Sequence, residues 1–545
     1  MLIKSPYSIP IPTVDLLTYA FERQRDGTNE PIYINADDPS QCVTKAELEL
    51  LVKKLGKGLR ERAKINKGDV VLTCAANSIR YPLAFFGTIC AGAVFTGANP
   101  AYSLPELSHQ LRLSDAKLVF TDAGRLPLVK RAAQEVGLSA DSVYLLEGKG
   151  EAPSIDDLLE HGELQWESLD RLEDLTQRTA VLNFSSGTTG LPKACMISHR
   201  NLVANAEQNR YLDDVSRNRL HDPNYALKEI HVAYLPLYHA MGQMMYCTLN
   251  LRREYPSYIM PQFTLPLLLQ AIHRYKVTYL LLVPPIAILL IKSPLVTQYD
   301  LSSVKFLLCG AAPLGKETAL QLEKLFHANN ASVKQAWGMS EATCSVTLFA
   351  PDEHDPQYVG VGYLCANMEA KIIADDGREV GYGEKGEAVL RGPNIFQGYY
   401  KNPEATRESW TEDGWLKTGD YVVVQPNGMF AVVDRKKELI KVKGFQVAPS
   451  ELESHLLNCP LVSDCAVTRV MRNGEEHPQA HIVPAGKHVS AAAIHAFMEP
   501  RISAHKRITG GIVFTDAIPK SPSGKILRRL LKDKDGEGAA PRAKL

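Results

Sequence analysis

The chain has 545 residues, more than one ordinary core can organise, so at least two domains are expected. Its 61 basic and 61 acidic residues cancel, which removes any electrostatic ground for DNA, RNA or an anionic membrane as the main partner. Ten cysteines are scattered with no C-x-x-C pair, so neither a zinc site nor a disulfide scaffold is expected, and a reducing interior is the simplest home.

Taken in order, Met1-Leu2-Ile3-Lys4-Ser5-Pro6 lacks the long apolar core of a signal peptide. Thr44 and Glu47 make a capping box ahead of Leu48, Leu51, Val52, Leu55 and Leu59, a spacing that paints one face of a helix. Residues 69–74 then read as a strand, and 180–184 as a buried strand from which residues 185–193 hang. A helical pattern over 265–275 is followed by the most apolar run, 277–291, which Pro284-Pro285 breaks and which is too short to span a bilayer. That run reads as a strand over 278–283 turning into a second apolar element, and 304–308 reads as a strand running into Gly310. Such alternation leads to parallel, doubly wound sheets in a soluble α/β protein without a transmembrane segment. Gln425-Pro426-Asn427-Gly428 marks a hairpin turn, with the dense charges of 434–443 behind it. The charged, Gly/Ala/Pro-rich stretch 532–542 reads as a mobile tail that presents Ala543-Lys544-Leu545, a variant of the Ser-Lys-Leu peroxisomal address.

The segment Ser185-Ser186-Gly187-Thr188-Thr189-Gly190-Leu191-Pro192-Lys193 carries the most chemistry. Its glycines let backbone N–H groups approach an anion, its four hydroxyls donate to phosphate oxygens, and Lys193 adds a point charge. It is not a Walker A loop, because only Thr188 and Thr189 separate the glycines and Leu-Pro precedes the lysine. Alone, such a cluster also suits an ordinary polar turn.

Companion motifs follow it: Gly310-Ala311-Ala312-Pro313-Leu314, then Gln335-Ala336-Trp337-Gly338-Met339-Ser340-Glu341, Gly386-Glu387, Arg391-Gly392-Pro393 and Trp415-Leu416-Lys417-Thr418-Gly419-Asp420. Asp434-Arg435-Lys436-Lys437-Glu438, Lys441-Val442-Lys443-Gly444-Phe445-Gln446 and Pro519-Lys520-Ser521-Pro522-Ser523-Gly524-Lys525 complete the set. Over nearly the whole chain this order resembles the adenylate-forming superfamily of acyl-CoA synthetases, luciferases and peptide-synthetase adenylation domains. Asn99-Pro100-Ala101-Tyr102 and the segment 434–447 resemble the 4-coumarate:CoA ligase and luciferase branch.

The resemblance implies a large N-terminal AMP-binding domain over 1–432, of doubly wound sheets plus a β-barrel-like subdomain. A small mobile α+β C-terminal domain over 433–530 and a flexible tail over 531–545 follow. It implies ATP, Mg²⁺ and coenzyme A, with a carboxylic acid, aryl or medium- to long-chain aliphatic, activated as acyl-AMP with pyrophosphate release and then passed to the coenzyme A thiol. A carrier-protein thiol or other acceptor, and a catalytically silent nucleotide-binding protein, are the rival readings.

By the same resemblance Ser185, Ser186, Gly187, Thr188, Thr189, Gly190 and Lys193 hold phosphates, and Glu341 binds Mg²⁺. Gly310, Ala311, Ala312, Gln335, Trp337, Gly338 and Ser340 surround the adenylate, while Asp420 and Arg435 take the ribose. Lys525 is expected to neutralise the charge that builds between carboxylate and α-phosphate. Rotation about Lys437 is expected to withdraw it and present Lys441 and Gln446 to the acyl-AMP and Lys443 and Gly444 to coenzyme A. His239, Met241, Met245, Ala311 and Gly338 line the acyl pocket, whose methionines form a soft wall that argues against a phenol-specific site. Gln262 stands where related ligases often carry Lys. Ala543-Lys544-Leu545 implies a peroxisomal import receptor as partner and the peroxisome as location, with the cytoplasm otherwise.

Overall fold

A computed structural model describes residues 1–22, 29–185, 192–225, 229–326, 331–442, 445–472, 474–521 and 524–531. Among these, two seven-stranded sheets form the bulk of the molecule. The first runs in the order Val333–Gln335, Phe306–Cys309, Tyr279–Leu282, His231–Ala233, Ser257–Ile259, Pro31–Asn35 and Cys42–Thr44, parallel up to its last pair. The second runs Gly398–Tyr399, Lys193–Ser198, Thr179–Ser185, Val94–Gly97, Val70–Cys74, Ala116–Thr121 and Val143–Leu145, parallel from Thr179–Ser185 onward.

These are the sheets the alternating pattern predicts, and the reason is burial on both faces. All five residues of Val70–Cys74 are buried, so the strand reads as a continuous apolar run rather than an alternating one. The helix Lys45–Glu61 starts at the expected box: Glu47 N donates to Thr44 Oγ1 at 3.2 Å and Thr44 N to Glu47 Oε2 at 2.9 Å. The helix Leu265–Tyr275 and the strand Tyr279–Leu282 lie where the pattern puts them. Pro284-Pro285 divides the strand from the second apolar element as expected, and it occupies the first turn of that element, the helix Pro284–Lys292, where a missing N–H leaves nothing unpaired.

Five antiparallel strands, Ile3–Lys4, Glu369–Ile373, Lys385–Arg391, Leu416–Val424 and Phe430–Arg435, form the barrel-like part. The outer strand curls onto the segment before Tyr363–Leu364, where Phe430 exchanges backbone hydrogen bonds with Val361 (2.7 Å) and Gly362 (2.9 Å). Beyond Arg435 come the hairpin of Ile440–Val442 with Phe445–Val447 and the sheet of Val462–Arg472, Glu475–Pro484 and Gly511–Phe514. With the helices Pro449–Leu457 and Ala491–Met498 these enclose a separate core that includes Ile440, Leu452, Ile482 and Ile494.

The strand Phe430–Arg435 stays paired through Arg435, past the expected division at 432/433. The sheet pairing of the first unit thus reaches three residues beyond residue 432. All ten cysteines are free, and only Cys42 is exposed. Among the described residues no helix is long and apolar enough to cross a membrane.

Candidate active site

A cavity of about 1230 Å³ opens where the chain leaves the carboxyl ends of the parallel strands. His231–Ala233 leads to Tyr238 and His239, Phe306–Cys309 to Gly310 and Ala311, and Val333–Gln335 to Trp337. Loops diverging from strand ends leave such a crevice at the switch point of an open sheet. Residues 520–521 and 524–529 close it from the C-terminal side, bringing in Lys525.

At one end Trp337 is 6% exposed and stacks on Phe430 at 6.2 Å and 23°. Its Nε1 donates to Asp420 Oδ2 at 2.9 Å, and Arg435 Nε meets Asp420 Oδ1 at 2.7 Å. Asp420 is thus a buried carboxylate held in a fixed plane, with desolvation raising its pKa and Arg435 opposing that. Ala311 sits at φ 69°, a left-handed conformation uncommon for a residue with a Cβ, which the surrounding loop must hold. Gly338 cannot be replaced without rearrangement, since a Cβ there would fall 1.8 Å from Cys344 O. Gln335 ties two loops together: Oε1 accepts from Leu314 N at 2.8 Å and Nε2 donates to Tyr358 O at 3.0 Å. Its amide supports the wall behind the adenylate residues.

The phosphate side is built around Glu341. Its Oε1 accepts from the Tyr399 hydroxyl at 2.8 Å, and Lys193 Nζ lies 4.9 Å over the Tyr399 ring. Burial, with the Glu341 carboxylate adding to it, raises the pKa of both Tyr399 and Cys195, so both remain protonated. Ser185 ends its strand beside this group, while Ser186, Gly187, Thr188, Thr189, Gly190 and Leu191 lie outside the described residues. The described residues contain no cluster of three metal-ligating side chains. One carboxylate with the Tyr399 hydroxyl on it and Ser185 at the strand end suits Mg²⁺, which keeps waters and substrate phosphates in its shell rather than an all-protein cage.

Lys525 rides on a turn whose Gly524 has φ 84° and whose Cβ position would fall 3.2 Å from both Val283 Cγ2 and Pro285 Cδ. The left-handed φ favours glycine there, and the packing against the first unit is close. Burial lowers the Lys525 pKa, Arg435 adds to this, and Glu438, Asp420 and Glu341 oppose it. His239 is held near pKa 4 by burial and by Lys525, so it is neutral. Its Nδ1 accepts from Met241 N at 3.3 Å, which leaves the proton on Nε2.

Met241, Met245, Leu281 and Leu308 line the apolar end, and Met245 belongs to the π-helical turn Gln243–Leu249. These four apolar side chains suit an uncharged chain or ring.

Not every expected residue is here. Lys441 and Gln446 do not line the cavity that holds Lys525. Lys441 is exposed, its backbone N donating to Glu476 Oε2 at 2.6 Å, and the Gln446 amide bridges Asp375 (2.8 Å) and Lys385 (2.6 Å). The cause is geometric: their hairpin lies on a different face of the small unit from the Gly524 turn. Lys437 and Gln262 are exposed as well, and Lys443 and Gly444 lie outside the described residues.

Other residues had no signal in the sequence. Tyr399 is 58 positions from Glu341, and Phe430 lies under Trp337 only because two strands meet. Asp434 accepts from Ser450 N (3.0 Å) and Ser450 Oγ (2.9 Å), so a carboxylate of the last barrel-like strand holds the start of helix Pro449–Leu457.

Comparison with known proteins agrees with this architecture. The AMP-binding enzyme profile matches residues 21–400 and the AMP-binding enzyme C-terminal domain profile residues 451–525. A putative acyl-coenzyme A synthetase of Emericella nidulans is 36% identical over 98% of this chain and 98% of its own length. 4-Coumarate–CoA ligase 1 of Petroselinum crispum is 35% identical over 97% and 95%. ATP-bound MatB from Rhodopseudomonas palustris shares the fold, with a TM-score of 0.83 and 24% identity over 96% of this chain and 99% of that one.

Proposed function

The chain belongs to the AMP-binding enzyme family, and from that premise we propose that it is an ATP-dependent acid:coenzyme A ligase. The carrying observation is one cavity with Asp420, Arg435, Trp337, Glu341 and Lys525 at its polar end and Met241 and Met245 at its apolar end. In the first step a carboxylate oxygen attacks the α-phosphorus of ATP, an acyl O–P bond forms, the Pα–O–Pβ bond breaks and pyrophosphate leaves. Lys525 neutralises charge that the two anions bring together, which favours the transition state over the separate reactants. Asp420 and Arg435 orient the ribose, and neutral His239 offers Nε2–H at the cavity wall. Mg²⁺ held by Glu341 would supply charge neutralisation on the phosphates.

In the second step a thiol sulfur attacks the acyl carbonyl, the C–S bond forms, the C–O bond to phosphate breaks, AMP leaves and the thiol proton passes to solvent. His239, at a pKa near 4, is too weak a base to take it. Lys441, Lys443, Gly444 and Gln446 serve this step after rotation about Lys437. We place the domain boundary between Arg435 and Ile440, where sheet pairing ends and the second core begins.

The acid is uncharged beyond its carboxylate, aryl or medium- to long-chain aliphatic. Pyrophosphate release over a panel of such acids, with and without coenzyme A, tests the reading. Release without any thioester when coenzyme A is present would assign the acceptor to a carrier-protein thiol or another group. Met241→Phe should change the acid profile more than the KM for ATP, since added bulk acts on the acyl wall; an unchanged profile with impaired ATP use would refute that placement.

Ala543-Lys544-Leu545, outside the described residues, directs the protein to peroxisomes through the import receptor, with the cytoplasm as the alternative. Imaging of N-terminally tagged protein decides this, and a diffuse signal in cells that have peroxisomes would overturn it.

A further inference from the structure

The helix Pro284–Lys292 of the first unit meets the small unit at both of its ends. Its first turn packs under the turn that carries Lys525, with Pro285 Cδ 3.2 Å from where a Cβ on Gly524 would stand. At the far end, roughly 12 Å along the axis, Lys292 Nζ donates to Val462 O at 3.0 Å and to Ser463 O at 3.2 Å. Both carbonyls belong to the small unit. Two acceptors fix the direction of an ammonium group where one would leave it free to swing, and each bond is strengthened by the charge.

What Lys292 holds is tied to Lys525. The next residue, Asp464, accepts from Lys520 Nζ at 2.8 Å on Oδ1 and 2.7 Å on Oδ2. Lys520 leads into the turn, where Ser521 N donates to Lys525 O at 2.8 Å and Lys525 N to Ser521 Oγ at 3.1 Å. A run of polar contacts thus passes from Lys292 to the Lys525 backbone without using any group that faces the adenylate.

A further point of contact lies on the neighbouring helix, Lys316–Leu325. Gly315 heads it at φ −65° and ψ 150°, a conformation open to any residue, yet a Cβ there would fall 2.1 Å from Ser454 Oγ of the small unit. One turn on from Ser454, Asn458 Nδ2 donates to Glu317 Oε2 at 3.2 Å. A single connecting strand leaves a rigid body free to turn, whereas contacts at both ends of one helix and at the head of its neighbour fix its orientation. We propose that Lys292 is a positioning residue for adenylation: it seats the small unit so that Lys525 stands where carboxylate and α-phosphate meet. This rests on the adenylation step of the proposed function.

Lys292→Met keeps the length of the side chain and removes its donors. It should lower kcat of acid-dependent ATP–pyrophosphate exchange about five- to ten-fold. The KM for ATP should change less than about two-fold, because Trp337 and Asp420 belong to the first unit. Conversion of synthetic acyl-AMP to thioester should not fall, and Lys292→Arg should recover at least about half of the exchange, since it keeps charge and donors. A second measurement needs no catalysis. In the double variant Gly315→Cys/Ser454→Cys the two Cβ atoms would stand 3.3 Å apart, close to the disulfide mean of about 3.8 Å. Diamide should cross-link this pair in the otherwise native chain, and adding Lys292→Met should slow the cross-linking about five- to ten-fold. Unchanged exchange, an unchanged cross-linking rate, or no cross-link in the native background overturns the proposal. So does an equal fall in both half-reactions, which would mark general loss of structure, or a Lys292→Arg value as low as that of Lys292→Met. Wild-type protein without exchange on any acid would instead refute the adenylation reading, and the cross-linking rate would then decide for the seat alone.

Discussion

The Gly524–Lys525 turn and the hairpin of Ile440–Val442 with Phe445–Val447 belong to one small unit, yet only the turn reaches the cavity. The turn packs on Val283 and Pro285 and sets Lys525 beside Arg435 and Asp420. The hairpin faces Asp375, Lys385 and Glu476 instead. The structure is therefore arranged for the step in which carboxylate meets α-phosphate. Lys441 and Gln446, proposed above for the thiol step, lie on another surface, and the difference teaches that one small unit presents different side chains on different faces.

The strongest way to break this comparison is to remove each surface in turn. Lys525→Ala should lower acid-dependent ATP–pyrophosphate exchange by roughly two to three powers of ten while synthetic acyl-AMP is still converted to thioester. Lys443→Glu should do the reverse, since a negative charge would stand beside the path of an anionic acceptor. Equal loss of both steps by both folded variants would end the idea of alternating surfaces.

A smaller effect is expected at Tyr399, which acts through Glu341. Tyr399→Phe removes one donor to the carboxylate and should raise the Mg²⁺ concentration needed for half-maximal exchange about ten-fold. Thioester formation from acyl-AMP should change little. An unchanged Mg²⁺ dependence would make Tyr399 a packing residue only.

The pH profile sharpens the comparison further. Burial and Arg435 depress the Lys525 pKa, and the protonated form is the one that neutralises anions. Adenylation is thus present below the depressed value and lost as pH rises through it. The alkaline limb of kcat/KM for ATP should lie below the ordinary lysine value of about 10.4, and Lys525→Arg should move it upward. A limb that stays in place in the arginine variant would assign it to another group.

The smallest effect concerns the tie between Asp434 and Ser450. Ser450→Ala removes the 2.9 Å hydroxyl bond but keeps the backbone bond. It should shift the ratio of exchange to thioester formation by only about three- to five-fold. A fall in thermal stability with no change in that ratio would show that the contact holds the fold and not the arrangement of the two units.

Much of this was legible in the chain. Periodicity marked Lys45–Glu61, Leu265–Tyr275 and Tyr279–Leu282, because local capping and alternation act within a few residues. Motif order brought Trp337, Asp420, Arg435, Glu341 and Lys525 into one list, and they line one cavity. Other features had no local signal. Pro284-Pro285 reads as the division between a strand and a second apolar element, and only the structure shows that element to be a helix beginning at the prolines. Gln335 looks like a nucleotide residue by position, while its amide braces Leu314 and Tyr358.

By itself the sequence determined the alternating α/β layout, the chemistry of the polar motifs and their order, since these depend on residue type and short spacing. Only the tertiary structure decided which of them meet. It paired Tyr399 with Glu341 and laid Trp337 on Phe430. It also put Lys525 inside while keeping Lys441 and Gln446 out. The physical reason is that hydrogen bonding and packing act over a few ångströms in space. The partners lie tens to hundreds of residues apart in the chain, and only folding brings them within that reach.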